Sequence, residues 1–90
     1  MTDHAYSQVA ADQLDALETT ADPALWNAIV DALELILEYP GQAQKMSGAL
    51  TDNAGRIVFR IPVVGHPPYK VFWTRTATGA AHIEAVFPPE

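Results

Sequence analysis

The spacing of hydrophobic residues changes once along the chain, from a helical period in the first half to strand alternation in the second. Over residues 7–20, Ala10, Leu14 and Leu17 recur at helical spacing, which predicts an amphipathic helix. A broader apolar face predicts a second helix over residues 24–39, and its members are Leu25, Ile29, Leu33, Ile36 and Leu37. A pair of helices joined by so short a link is expected to form an antiparallel hairpin.

The ends of the second helix carry specific signals. Asp22 is suited to cap the free amides, and Pro23 at the first helical position sacrifices no hydrogen bond. Pro40 is expected to end the helix, since the residue before a proline is biased away from helical geometry. Residues 5–9 also fit a short opening strand, so the start of the first helix stays open.

After residue 54 the hydrophobic period becomes two. Residues 41–54 are predicted to be a polar connector with Met46 and Leu50 as apolar anchors, ending in a turn at 52–55. Strands are predicted over residues 55–63, 69–76 and 81–87. Short links between consecutive strands favour an antiparallel meander. The predicted fold is α+β: one domain over residues 1–90, with an antiparallel helix hairpin packed on one face of a three- to four-stranded antiparallel β-sheet.

Composition narrows the classes of function. The 90 residues include no cysteine, which excludes disulfides, thiolate metal sites and cysteine nucleophiles. No apolar run approaches the roughly 20 residues of a membrane span, and the first residues lack the pattern of a signal peptide. We therefore expect a soluble cytoplasmic protein that does not contact membranes. The net charge of −6 argues against a general nucleic-acid binder.

This net charge is divided unevenly. Residues 1–54 hold nine acids against Lys45, a net charge of −8, whereas residues 55–90 hold four bases against two acids, a net charge of +2. An anionic ligand is therefore expected to bind the C-terminal third.

Three cations in that third are candidate site residues. Alternation places Arg56 and Arg60 on the same face of one strand, and Lys70 joins them there only if the register of the next strand allows it. If it does, the three cations converge on the sheet face away from the helices. The competing interpretation is a solvated outer face.

The histidine positions give a weaker indication of function than these cations do. His82 and Glu84 are two apart on a strand and point the same way, which favours an ordinary exposed pair over an acid–base dyad. The histidines do not form a metal-ligand pattern, so neither a metal nor another cofactor is predicted; they are His4, His66 and His82.

Because Phe72 and Trp73 are adjacent on a strand, one of them must face away from the helices. An exposed aromatic side chain there is suited to anchor a partner chain.

Four stretches resemble the RelE/ParE superfamily of bacterial toxins: AADQLDAL (10–17), ALELILEYPGQAQKMSGAL (32–50), GRIVFRIPVVGHPPYKVFW (55–73) and HIEAVF (82–87). The resemblance implies the toxin of a type II toxin–antitoxin pair, held inactive by a cognate antitoxin. It further implies a growth-inhibiting, metal-independent endoribonuclease that cuts mRNA on the ribosome. By that resemblance the catalytic residues are Arg56, Arg60 and Lys70, with His82 as the acid–base group.

An alternative function stays open on the same fold. It is a non-catalytic protein-binding module, either a gyrase-inhibitor-like toxin or an inactive relative that binds an antitoxin. The acidic net charge favours it, as does the lack of a further Arg and a Tyr or His after the last strand, where nuclease members carry them. The strand cations favour the nuclease.

Overall fold

A computed structural model describes residues 5–88 as helices followed by a sheet. The helices are α1 (Gln8–Thr20), α2 (Pro23–Glu38) and α3 (Pro40–Lys45), and the strands are β1 (Gly48–Thr51), β2 (Ile57–Pro62), β3 (Lys70–Arg75) and β4 (Ala81–Phe87). The strands form one antiparallel sheet in the order β1-β2-β3-β4. This arrangement confirms the predicted α+β class with a four-stranded antiparallel sheet. No helix in this part of the chain is long and apolar enough to cross a membrane.

Side-chain caps fix where the two long helices begin. The Asp22 carboxylate accepts a hydrogen bond from the Leu25 amide at 2.9 Å, and Pro23 occupies the first turn of α2, as predicted. Ser7 caps α1 in the same way by accepting from the Ala10 amide at 3.0 Å.

The segment before α1 is extended and joins the far edge of the sheet. The Ser7 amide donates to the Ile83 carbonyl at 2.9 Å, and the Ile83 amide donates to the Ala5 carbonyl at 2.7 Å. Tyr6 and Ile83 form the resulting parallel bridge. The two interpretations of residues 5–9 are therefore each correct in part, because a short extended segment leads directly into the helix.

The prediction of an irregular connector over residues 41–54 is wrong. Pro40 opens α3 instead of only closing α2, because its fixed φ suits a first helical turn as well as a helix end. Residues 48–51 then form β1 by pairing with β2. Met46 and Leu50 do not act as anchors, since they are 54% and 40% exposed. The turn at 52–55 is confirmed, with Gly55 at φ +83°.

The core lies between the helices and one face of the sheet. Leu17 of α1 and Ile29 and Ile36 of α2 are fully buried in one cluster with Trp73 and Ile83 of the sheet. The acidic residues of the two long helices are exposed, as the amphipathic pattern predicts: Asp12, Asp15, Glu18, Asp31, Glu34 and Glu38. The helices therefore cover one sheet face and leave the other to the candidate site.

Candidate functional site

The face of the sheet away from the helices, called here the outer face, carries all four predicted site residues. The register sets Phe59 against Trp73 and Ile61 against Val71 on the core side, so the residues between them point outward. Arg60 lies opposite Phe72, and Lys70 lies opposite Pro62. Lys70 therefore shares the face of Arg60, which the sequence left dependent on register.

A β-bulge in β4 shapes this face. Phe72 pairs with Ala85 and the next residue, Trp73, pairs with Ile83, so Glu84 is an extra residue between two regular pairs. The Glu84 side chain lies on the outer face, where it contacts side chains of β3 and β4 and that of Arg56, the residue just before β2.

Three side chains contact or approach one carboxylate oxygen of Glu84. The Thr74 hydroxyl donates to Oε2 at 2.8 Å, and His82 Nδ1 lies 2.8 Å from the same atom. The Arg56 guanidinium approaches it at 3.7 Å. We call Arg56, Thr74, His82 and Glu84 the Glu84 cluster. The side chains of His82 and Glu84 are only 28% and 22% exposed, so this pair is more sheltered than the exposed pair that the sequence favoured.

The environment of Glu84 stabilises its charged form. Burial raises the pKa of the Glu84 carboxyl, but hydrogen bonds from His82 and Thr74 outweigh this effect, and the charges of His82 and Arg56 add to them. The net result is a pKa below the ordinary value. A carboxylate that stays ionised is suited to hold the Nδ1–H of His82 and to leave Nε2 as the atom for proton transfer.

Arg56 is held at the edge of the cluster by the turn that precedes β2. Asp52 Oδ1 accepts from the backbone amides of Ala54 and Arg56 at 2.9 Å, while Oδ2 pairs with Arg56 Nε at 3.0 Å. The backbone and side-chain hydrogen bonds of Arg56 are the main causes that lower the pKa of Asp52. In return, the hydrogen bond to Asp52, followed by the charge of Glu84, raises the pKa of Arg56.

An open cleft lies over the Glu84 cluster. It has a volume of about 690 Å³ and is lined by all four cluster residues together with Gly55, Ile57, Phe59, Arg75 and Thr76. A histidine, an arginine and a carboxylate beside one cleft can move a proton and stabilise a negative charge.

Arg60 and Lys70 lie in a separate, smaller depression. Its volume is about 280 Å³, and Gly48 and Pro62 complete its lining. The three cations therefore share the outer face, but Arg56 belongs to the Glu84 cluster and does not line the depression of the other two. The reason is strand length: four positions of extended chain separate Arg56 from Arg60, or about 13 Å.

The aromatic pair of β3 divides as predicted. Trp73 is fully buried and stacks at a tilt on Phe59, with ring centroids 4.8 Å apart. Phe72 is half-buried on the outer face and meets Phe87 edge to face at 5.3 Å. Phe72 and Phe87 therefore form a partly exposed aromatic surface. It lies beside Arg60, because Arg60 is paired with Phe72 across the two strands.

Two members of the cluster were not among the predicted site residues. The sequence marks Glu84 only as a neighbour of His82, and it gives no signal for Thr74. Alternation along β4 does indicate that His82 and Glu84 share a face, but the contact with Thr74 depends on the pairing of β3 with β4.

Within residues 5–88, no three His, Asp or Glu side chains are grouped so that they could hold a metal ion. His4, the first of the three histidines, lies outside the described residues. Comparisons with family models, with curated proteins and with solved structures find no match to this chain.

Proposed function

We propose that this protein is the toxin of a bacterial type II toxin–antitoxin pair and that it cleaves mRNA on the ribosome by metal-independent chemistry at the Glu84 cluster. The observation that carries the proposal is the bond between His82 Nδ1 and Glu84 Oε2 at 2.8 Å, with Arg56 on the same carboxylate beside an open cleft. The resemblance of the sequence to the RelE/ParE superfamily supplies the substrate class and the cognate antitoxin.

The chemistry that these side chains support is phosphoryl transfer within RNA. Removal of the proton of a ribose 2′-hydroxyl lets that oxygen attack the adjacent phosphorus, and the bond to the 5′-oxygen of the next nucleotide breaks. The products are a 2′,3′-cyclic phosphate and a 5′-hydroxyl, which forms when the departing 5′-oxygen takes up one proton. His82, held through Nδ1, is suited to move these protons at Nε2, and Arg56 is suited to stabilise the charge on the phosphate.

Arg56 keeps the exposure that a phosphate contact needs. Its side chain is 59% exposed although it is paired with Asp52 and approaches Glu84. Those two carboxylates reduce its attraction for an anion, so His82 is expected to contribute more to the rate than Arg56. General acid–base groups typically contribute 10²–10⁴-fold.

The test is induction of the chain alone in bacteria, with growth followed and total RNA mapped for new 5′ ends. We expect growth arrest and cleavage at codon-related positions. His82→Gln should abolish both, while His66→Gln, a histidine in the loop between β2 and β3, should abolish neither. Arrest that persists in a folded His82→Gln variant contradicts the catalytic assignment.

A second candidate function rests on an apolar groove on the helix side of the molecule. The groove has a volume of about 410 Å³ and lies between α2 and the end of β2, with Leu35, Met46, Ile61 and Val64 among its lining residues. Val64 is 80% exposed at its rim. Such a surface favours a protein partner, which fits a non-catalytic toxin or an antitoxin-binding relative. Growth arrest with intact RNA supports this function, and so does the absence of arrest if an antitoxin encoded next to this chain binds it.

A further inference from the structure

Arg60 and Lys70 are placed as a pair. Arg60 lies opposite Phe72, and Lys70, two positions before Phe72 on β3, lies opposite Pro62. The two cations are therefore diagonal neighbours on adjacent strands of the same face, and both line one depression. The Arg60 guanidinium extends over Gly48 of β1: a Cβ at Gly48 would lie 3.5 Å from Arg60 Nη2. Because Gly48 has no side chain to cover it, the guanidinium is open to a ligand.

The charges of this pair are not neutralised by the described part of the protein. No Asp or Glu within residues 5–88 forms an ion pair with Arg60 or Lys70, whereas Arg56 pairs with Asp52 and approaches Glu84. Arg75 is also engaged, with the Gly79 carbonyl and Gln44. Two unpaired cations beside a concave surface attract a phosphate group more strongly than a paired arginine does.

The distance between the two centres determines what they can bind together. About 13 Å of extended chain separates Arg56 from Arg60, and their guanidinium groups have different neighbours: Asp52 and Glu84 for Arg56, and Gly48 of β1 for Arg60. We therefore assign a different phosphate to each centre. Phe72 lies beside Arg60 on the outer face and is half-buried. Bases stack on aromatic rings of this kind without regard to sequence.

We propose that Arg60 and Lys70 form a phosphate-binding subsite for single-stranded RNA, separate from the cleavage centre, and that they do not take part in the chemical step. The inference rests on the proposed function and assigns these two residues a role other than the catalytic one that the family resemblance implies. The bound strand runs along the outer face, with one phosphate at the Glu84 cluster, a base near Phe72 and another phosphate at Arg60 and Lys70.

The experiment uses labelled single-stranded oligonucleotides of two to six nucleotides with 2′-fluoro groups, which cannot be cleaved by 2′-hydroxyl attack. Binding to the full chain is measured by fluorescence anisotropy at several salt concentrations. The variant is Arg60→Gln/Lys70→Gln, and the matched control is Lys45→Gln, which removes a cation from the last turn of α3.

We expect the affinity of the wild type to increase in one step, about tenfold or more, when the oligonucleotide becomes long enough to reach the second phosphate. The double variant should lose this step. Its plot of log binding constant against log salt concentration should have a slope shallower by about 0.7, the contribution of one lost phosphate contact in a single strand. Lys45→Gln should retain both. Equal affinities of the double variant and the wild type for the longest oligonucleotide would overturn the subsite, and so would equal weakening by Lys45→Gln or no binding by the wild type.

Failure of the subsite is distinguishable from failure of the proposed function. With unmodified RNA the double variant should raise KM and leave kcat unchanged, whereas His82→Gln should lower kcat. Cleavage by the wild type without a length-dependent step in affinity contradicts the subsite alone. A length-dependent step without any cleavage, on the ribosome or off it, contradicts the nuclease function alone.

Discussion

The Ser7 hydroxyl donates a 2.6 Å hydrogen bond to the backbone carbonyl of Glu84, a residue 77 positions away in the sequence. The same oxygen accepts from the Ala10 amide and so caps α1. One side chain therefore fixes the start of a helix and also holds the bulged residue whose carboxylate organises the candidate site.

This dual contact predicts that Ser7→Ala destabilises the protein more than loss of an ordinary cap does. Asp22→Ala removes a cap on an exposed helix start and should cost about 1 kcal/mol. Ser7→Ala also leaves the Glu84 carbonyl without this donor, which should add about 1 kcal/mol. Urea unfolding of the two variants measures the difference. Equal losses would show that the bond to Glu84 contributes nothing to stability.

The lowered pKa of Glu84 predicts how stability depends on pH. Its folded-state pKa lies below the ordinary value of 4.5, so the unfolded state binds the proton first as pH falls. The stabilisation is therefore fully present above about pH 5 and is lost as pH falls through the folded pKa. Glu84→Gln should flatten the decrease of unfolding free energy below pH 4.5.

The control for this prediction is Glu34→Gln, which removes an exposed carboxylate from α2. Part of the acid dependence should remain in Glu84→Gln, because the pKa of Asp52 is lowered as well. An acid profile identical to that of the wild type would exclude a stabilising role for the Glu84 charge.

The contact between His82 and Glu84 predicts a tautomer. In the neutral ring, an ionised Glu84 accepts only from a protonated Nδ1, so Nε2 should carry no hydrogen. Nitrogen chemical shifts of the imidazole, recorded at alkaline pH, distinguish the two forms. Glu84→Ala should increase the Nε2–H form of His82 and leave His66 unchanged. An Nε2–H form already dominant in the wild type would contradict the positioning role of Glu84.

Ser47 supplies the partner of a buried indole. Trp73 is fully buried, and its Nε1–H donates to the Ser47 hydroxyl at 3.2 Å, while that hydroxyl donates to the Ala43 carbonyl at 2.7 Å. Ser47→Ala should therefore cost about 1–3 kcal/mol, because it leaves a buried donor without its acceptor. Thr78→Ala, in an exposed turn, should change the unfolding free energy by less than about 0.5 kcal/mol. Chemical denaturation followed by circular dichroism compares them.

The elements that sequence predicted correctly are those whose signals are local. Asp22 and Pro23 mark a helix start because the cap involves only residues three positions apart. The alternation of Ile57, Phe59 and Ile61 likewise identifies one face of a single strand. The prediction of an irregular connector over residues 41–54 was wrong because β1 is stabilised by its pairing with β2 and has no alternating pattern of its own.

The candidate site was predictable only one strand at a time. Alternation placed Arg56 on the same face as Arg60, and His82 on the same face as Glu84, and in the structure the members of each pair do share a face. Which residues meet across strands depends on register, which a pattern of period two does not specify. The grouping of Lys70 with Arg60, and of Thr74 with Glu84, therefore required the fold.

The separation of charge between the two sides of the molecule changes what its net charge means. The exposed acids lie on the helices, and Arg60 and Lys70 lie on the opposite side of the sheet. The molecule measures 34 × 30 × 26 Å, whereas the Debye length at physiological ionic strength is about 8 Å. A polyanion near the sheet therefore experiences the local cations and little of the helical acids, while one arriving from the helix side is repelled. The encounter is oriented before contact, and its rate should fall as ionic strength rises even though the protein is acidic as a whole.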